Sequence, residues 1–332
     1  MPFITIRRAA NVLRPLCISV ALIVSAGVHA QDAADNWPNK PVRVLVAQAP
    51  GGTDVQARLY ALKLADRFGA TFLIENRPGR NIAWTTTARA PADGYTLLVA
   101  VPDFTFAPAL YKDLPVDPVK DFTPVSLMSR APFFLAVNAT TVPAKTLKEF
   151  IALARSRPGK LNFGAGLPGV GTHLTSVLFM TQANIKAAYV PYKGVAQAVV
   201  DLLAGQIDAT VSTGVSVGQH MKSGRLRGLA VTAGQRSREF PDIPTMAEQG
   251  VQGVEVQTFH GWVGPAAIPA AILGKLSGEL QRIARMPDVI EKLQADNSEP
   301  VGSTPEEFGR FIATEVPRWR KLVQESGIVI SD

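Results

Sequence analysis

An α/β fold built from two domains is what this sequence predicts, on three observations. Strand-like and helix-like runs alternate almost from residue 42 to residue 232, the pattern of mostly parallel sheets covered by helices. The length of 332 residues suits two domains of roughly 150 residues rather than one. No low-complexity linker divides the chain, so two domains would be joined by more than one crossing.

The elements follow in order. VRVLVA (42–47) reads as the first strand, and the run from 54 to 68 as a helix in which Val55, Leu59, Leu62 and Phe68 share the apolar face and Gly69 ends it. TFLIE (71–75), TLLVAV (96–101) and FFLAVN (133–138) are further strands. Thr146 to Glu149 spells a capping box for the helix LKEFIALARS. LNFGA, a helix over 172–183, AAYV, a helix over 195–204, IDATV, a helix over 215–222 and LRGLAVT repeat the alternation. The last hundred or so residues turn more helical. Thr304-Pro305-Glu306-Glu307 starts the final helix with Pro at N1 and Glu at N3, and Pro317 is expected to kink it.

Residues 1–30 stand apart. Arg7, Arg8 and Arg14 precede the apolar run Pro15 to Val28, and Val28-His29-Ala30 ends on small residues. This is the form of a secretory signal peptide, read by the general secretion route, and it is too short to span a bilayer permanently. Cleavage after Ala30 removes Cys17, the single cysteine, so the remaining chain needs no disulfide and holds no cysteine metal site. The expected address is a bacterial periplasm, and nothing after residue 30 has the length of a membrane span. The formal charge of +7 loses three arginines with the signal, 7 − 3 = +4. That mild excess favours small anions at long range. Scattered Lys and Arg argue against nucleic acid.

Three motifs carry candidate chemistry. LNFGAGLPGVGTHL (161–174) contains G-x-G-x-x-G at Gly164, Gly166 and Gly169. A dinucleotide loop would start its helix inside the motif and place an acid about 20 residues on. Here Pro168 and Gly171 postpone the helix to about Thr172, and YVPYKG stands where the acid should be. What remains is a glycine-rich helix start, able to hold a carboxylate as well as a phosphate. Gly214-Val215-Ser216-Val217-Gly218 matches a hydrolase nucleophile elbow, with Asp242 and His260 following in triad order. No HGGG-type segment supplies its oxyanion hole, and His260 sits among apolar residues. QAPGGTDVQAR (48–58) gives a second helix start, with Gly51-Gly52 and a capping box from Thr53 to Gln56. His173, His220 and His260 lack metal-ligand spacing, and no cofactor is expected. Two glycine-bearing helix starts, one in each half, imply a ligand gripped from both sides of a cleft between domains.

Many collinear segments carry a resemblance: WPNKPVRVLVAQAPGGTDVQARLYA, IENRPG, PADGYTLLVA, FAPALYKDLPVDPVKDFTPVSLM, HLTSVLF, VPYKG, LLAGQID, LAVTAGQRS, FPDIPTMAEQG and TPEEFGRFIATEVPRWRKLV. From Trp37 to about Gly327 the chain resembles the Bug proteins, the periplasmic solute receptors of tripartite tricarboxylate transporters. The resemblance implies a two-lobed, type II periplasmic binding protein that closes like a Venus flytrap about two crossover hinge strands. FFLAVN and RGLAVT are the candidates for those strands. Lobe one would take residues 31–131 and 232–332, and lobe two 132–231.

The resemblance further implies a monomeric receptor without enzymatic activity that holds a small carboxylate and passes it to membrane subunits. A sensor role and a Ser216 esterase are the alternatives. Carried over by position, the first-lobe wall is Gly51, Gly52, Thr53 and Asp54, with Asn76 to Asn81 beside it. The second-lobe wall is Ala165, Gly166, Gly169, Gly171 and Thr172, with Tyr192, Lys193 and Asp208. His173 would orient its loop. The chain departs from the family pattern at ENRPG-RNIAW, where Arg80 and Trp84 replace small residues. Arg80 is expected to bind a carboxylate directly, Trp84 to fill space.

Overall fold

The computed structural model describes residues 36–47 and 52–326; the expected signal peptide and Gly51 lie outside the described residues. Strands β1 (Val42–Val46), β2 (Phe72–Asn76) and β3 (Thr96–Ala100) are parallel, with β1 between the other two. Helices α1 (Gly52–Phe68), α2 (Arg80–Ala88) and α3 (Asp103–Leu110) follow them in turn. Strands β5 (Asn162–Gly166), β6 (Ala188–Tyr192) and β7 (Ala209–Thr213) repeat this arrangement, with β5 in the middle, and are followed by α5 (Gly171–Gln182), α6 (Val195–Leu203) and α7 (Gly214–Lys222).

One long strand, β4 (Phe122–Asn138), belongs to both sheets. Its first part pairs antiparallel with β9 (Gln257–Pro265) as far as Pro132, and its second part pairs with β7 and β8 (Leu226–Val231) from Phe133 on. The lobe-one order is therefore β2-β1-β3-β9-β4, and the lobe-two order is β6-β5-β7-β4-β8. Each lobe is the same design: three parallel strands, one antiparallel strand, then one more. The strand FFLAVN is the distal half of β4, and the chain crosses at 132–133 just before it.

The second crossing differs in detail from a passage along RGLAVT. Val231 and Thr232 are tied to the second sheet, where the amide of Thr232 donates to the Phe133 carbonyl at 2.9 Å. The following segment stays with that lobe: Met246, Val251, Val254 and Val256 pack in one apolar cluster with Leu135, Leu174 and Val211. The chain re-enters the first sheet only at β9.

The remaining helices are α4 (Leu147–Ser156), α8 (Ala270–Ala284), α9 (Pro287–Ala295) and α10 (Pro305–Ser326), and β10 (Glu299–Pro300) adds to the edge of β4. Two of the three expected capping boxes form. The third, Thr53 to Gln56, does not, because the Thr53 hydroxyl pairs with His260 at 3.2 Å and the Gln56 side chain is held by Ser129 and Ser298. Thr146 accepts from the Glu149 amide at 3.2 Å. Thr304 and Glu307 exchange bonds at 2.9 and 3.2 Å, each side chain accepting from the other's amide. Pro317 is accommodated inside α10.

The apolar face of α1 is only in part the one the sequence suggests: Leu59 and Phe68 pack against the core. Val55 and Leu62 are 59% and 60% exposed, whereas Ala57, Tyr60, Ala61 and Leu64 are buried. The small alanines let the helix lie close to the sheet, and Tyr60, with Leu64 one turn on, fills the space between. Close backbone approach wins over side-chain bulk here. Among the described residues no helix is long and apolar enough to cross a membrane.

Candidate ligand-binding cleft

A cavity of about 580 Å³ opens between the lobes at the carboxyl ends of the parallel strands, where open α/β sheets bind ligands. Its wall is built from helix starts. Thr53 of α1, Arg80 of α2 and Asp103 of α3 come from lobe one; Gly171 and Thr172 of α5 and Val195 of α6 come from lobe two. First-turn amides of a helix have no partner within it, and each N-terminus carries partial positive charge. Five of them around one cavity create a strong preference for an anion.

The second-lobe loop is braced by hydrogen bonds. Gly166 donates its amide to the Thr172 hydroxyl at 3.1 Å, and Gly169 donates to His173 Nδ1 at 3.2 Å. Burial lowers the His173 pKa, so the ring is neutral with Nδ1 free to accept. Tyr189 completes the brace, donating to the Gly166 carbonyl and packing 4.6 Å from the His173 ring. The amides of Gly166 and Gly169 are thus spent on the loop, and the amides left to a ligand are those that begin α5.

The glycine spacing has a packing cause. A Cβ on Gly164 would sit 2.3 Å from Ile207, and one on Gly166 would sit 2.5 Å from Val170 and 2.9 Å from the Thr172 hydroxyl. Gly169 adopts a φ of 84°, which a side chain resists. The nucleotide-like spelling arises from these three separate requirements.

Arg80 projects from the start of α2 over Tyr111, its guanidinium carbon 4.1 Å from that ring and 5.6 Å from Trp84. Its Nε is buried without a hydrogen-bond partner. Trp84 itself is 1% exposed and packs edge-on against Phe104 at 5.0 Å, so it fills the core. Facing the same cavity, Asp103 has a buried Oδ1 without a partner. Burial pushes its carboxyl up to about 7, against the opposing pull of Arg80 and the Phe104 amide.

Of the residues expected at the site, Thr53, Arg80, Gly166, Gly169, Gly171, Thr172 and Lys193 come together around the cavity. Gly52 opens α1 beside it, and Asn81 is exposed on α2. Asp54 is turned aside: Arg58 binds it twice, at 2.8 and 3.0 Å, and holds its carboxyl below the ordinary range. Asn76 joins that pair through Arg58. Ala165 is buried in β5. Tyr192 donates to Asp201 at 2.7 Å, and burial with that partner pushes its phenol up to about 12.

Asp208 does not reach the cleft. Its carboxylate accepts from the Asn162 amide at 2.7 Å, at the amino ends of β5 and β7. The cavity lies at the other end of those strands, about 13–17 Å away for five residues at about 3.3 Å each. Asp103, Tyr111, Phe106, Phe133 and Thr258 also line the cleft, beyond the residues the sequence suggests. The signal for Asp103 was present: VPDFTF follows a strand and opens a helix, as the other wall segments do.

The triad order of Ser216, Asp242 and His260 has no counterpart in space. The His260 nitrogens face the Thr53 hydroxyl at 3.2 Å and the Ser129 hydroxyl at 3.4 Å, and burial pushes the ring down to about 4. Ser216 instead neighbours Thr213 at 3.3 Å. Among the described residues no cluster of His, Cys, Asp or Glu is placed to hold a metal ion.

The tripartite tricarboxylate transporter family receptor model matches residues 56–328. The chain belongs to that receptor family. Protein BugT of Bordetella pertussis is 34% identical over 322 residues, covering 96% of this chain and 98% of that protein. Among solved structures, R. palustris Rpa4515 with adipate superposes with a TM-score of 0.78 at 33% identity, covering 88% of this chain and 99% of that one. MatC from Rhodopseudomonas palustris with bound malate gives a TM-score of 0.74 at 30% identity, covering 86% and 100%. The fold is accordingly the two-lobed type II fold of periplasmic binding proteins, and the family is one of solute-binding receptors.

Proposed function

We propose that this chain is a periplasmic receptor that captures a small carboxylate in the cleft and delivers it to the membrane subunits of a tripartite tricarboxylate transporter. Convergence of five helix starts and Arg80 on one cavity carries the reading. Adipate and malate in two related structures support the chemical class. Residues 1–30 direct secretion and are removed, and the receptor acts as a monomer. Its first-lobe grip is Thr53 and Arg80; the second-lobe grip is the start of α5 with Lys193.

Lobe one comprises residues 31–131 with the chain from β9 onward. The segment 232–256 moves with lobe two, since its apolar side chains pack there. Hinge closure brings the walls together and desolvates the carboxylate, which strengthens each amide and guanidinium contact.

The test is ligand-dependent stabilisation of the chain from residue 31, refolded to remove bound ligand. A carboxylate at 100 times its dissociation constant adds about 2.7 kcal/mol to the folded state, a Tm rise of several degrees. Mono-, di- and tricarboxylates, acidic amino acids and aromatic acids form the panel, with NAD and ATP as controls. A shift with an acid supports the reading; a shift with a nucleotide alone overturns it.

A further inference from the structure

Two opposite charges stand on the same wall of the cleft, each with an unused polar atom. Arg80 Nε is a buried donor without an acceptor, and Asp103 Oδ1 is a buried acceptor without a donor. They do not satisfy each other: neither atom has a hydrogen-bond partner, although Arg80 is near enough to oppose the rise of the Asp103 carboxyl. Arg80 is instead held over the Tyr111 ring, 4.1 Å from its centroid. Buried polar groups are almost always paired, and orphans on a cavity wall mark where something else must bind.

We propose that the physiological ligand is a zwitterion, a carboxylate that also bears a protonated amino group, and that Asp103 selects it. The proposal rests on the carboxylate reading of the cleft and specifies its ligand. The ligand's carboxylate takes the Arg80 guanidinium and the α5 helix start, and its ammonium takes Asp103 Oδ1.

Three arguments favour this assignment over a plain acid. A ligand that carries both an acceptor and a charged donor satisfies both orphans at once, whereas a plain acid satisfies only Arg80. A second carboxylate beside Asp103 would meet a like charge, and like charges repel strongly in a desolvated site. The carboxyl of Asp103 is also short of positive charge. Burial raises it to about 7 despite Arg80, so an ammonium supplies the stabilisation its ionised form lacks.

The experiment is calorimetric titration of the refolded chain, at pH 7.5, with matched pairs that differ by one amino group. The pairs are succinate and aspartate, glutarate and glutamate, adipate and 2-aminoadipate, and butyrate and 4-aminobutyrate. The amino member of at least one pair is expected to bind ten times or more tighter than its plain partner. In Asp103→Asn the preference should fall to about threefold or less, mainly through weaker binding of the amino member. Plain acids binding as tightly as their amino partners would overturn the proposal while leaving the carboxylate receptor standing. An unchanged preference in Asp103→Asn would also overturn it. Failure of every acid to bind would overturn the receptor reading itself. Should Asp103→Asn not fold, the matched pairs on the unaltered chain still decide.

Discussion

Arg80 touches Tyr111 and Trp84 through its planar face and leaves Nε without a partner in the cleft. A charged hydrogen bond to a carboxylate contributes about 1.5–3 kcal/mol. Arg80→Ala should therefore weaken carboxylate affinity by about 10- to 150-fold, read by calorimetry. Arg80→Lys should restore only part of it, because a point charge cannot reproduce the planar fork. Affinity unchanged in Arg80→Ala would place the guanidinium outside the binding contacts. The neighbouring titrations make a separate prediction about pH. Asp103 is raised in the folded chain from an ordinary 3.8 to about 7. Its contribution to stability is fully present below the ordinary value and is lost as pH rises through about 7. His260 is lowered from 6.5 to about 4, so its contribution is present above 6.5 and is lost as pH falls toward 4. The two oppose each other between about 4 and 6.5, and above 7 the Asp103 penalty stands alone. Ligand-free Asp103→Asn should melt at a higher temperature than the unaltered chain at pH 8, and the gap should shrink by pH 5. Equal Tm values at pH 8 would show that the carboxylate is not under strain from burial.

Helix α10 shows how an element is specified by its ends. Thr304 and Glu307 satisfy each other's amides, and Phe308, Ile312, Val316 and Trp319 follow on the buried face. Thr304→Ala should cost about 1 kcal/mol, seen in urea as a lower midpoint with an unchanged slope; a loss below a few tenths would mean the packed face alone fixes the start. The elements legible in the sequence are those with such signals. The helices α4, α5 and α10 and the parallel strands were marked by caps, glycines and apolar runs. Helix α2 was not, since RNIAWTTTA has no capping side chain and is rich in β-branched residues. Helix α3 contains Pro108 and two phenylalanines. Strand β9 is broken up by Gly261 and Gly264, which exist for Phe308 and Ile268 to pack against the strand. The face of α1 differs from the expected one because the buried stripe runs through Ala57, Tyr60, Ala61 and Leu64 and turns Val55 and Leu62 to the outside. At the site, the glycine loop is legible from its spacing, and Arg80 only from its departure from the family pattern at ENRPG-RNIAW. Asp208 comes in by its position in the QID segment, and a motif position does not say which end of the neighbouring strand meets the ligand.

At the scale of the whole molecule the two lobes also touch away from the cleft. Asn297, between α9 and β10, lies against Gly214 and Gly218 of α7. Those glycines are the ends of the hydrolase-like motif. A Cβ on Gly214 would stand 2.5 Å from the Asn297 Cβ, and one on Gly218 would meet the same side chain at 3.5 Å. The spacing thus serves a close contact between lobes. This contact offers a direct test of motion. A disulfide wants Cβ atoms about 3.5–4.5 Å apart, so Gly214→Cys with Asn297→Cys needs a separation of only about 1–2 Å to form one. The only native cysteine, Cys17, lies in the segment expected to be removed, so the pair would have no competitor. An oxidised bridge adds a third tie between lobes otherwise joined by two crossings of the chain, and restricts their rotation. Ligand should reduce the radius of gyration of the reduced double variant in solution scattering. Oxidation should abolish that change, and reductant should restore it. A ligand-induced decrease that persists in the oxidised protein would mean that closure does not disturb this contact, and that the two lobes pivot about it.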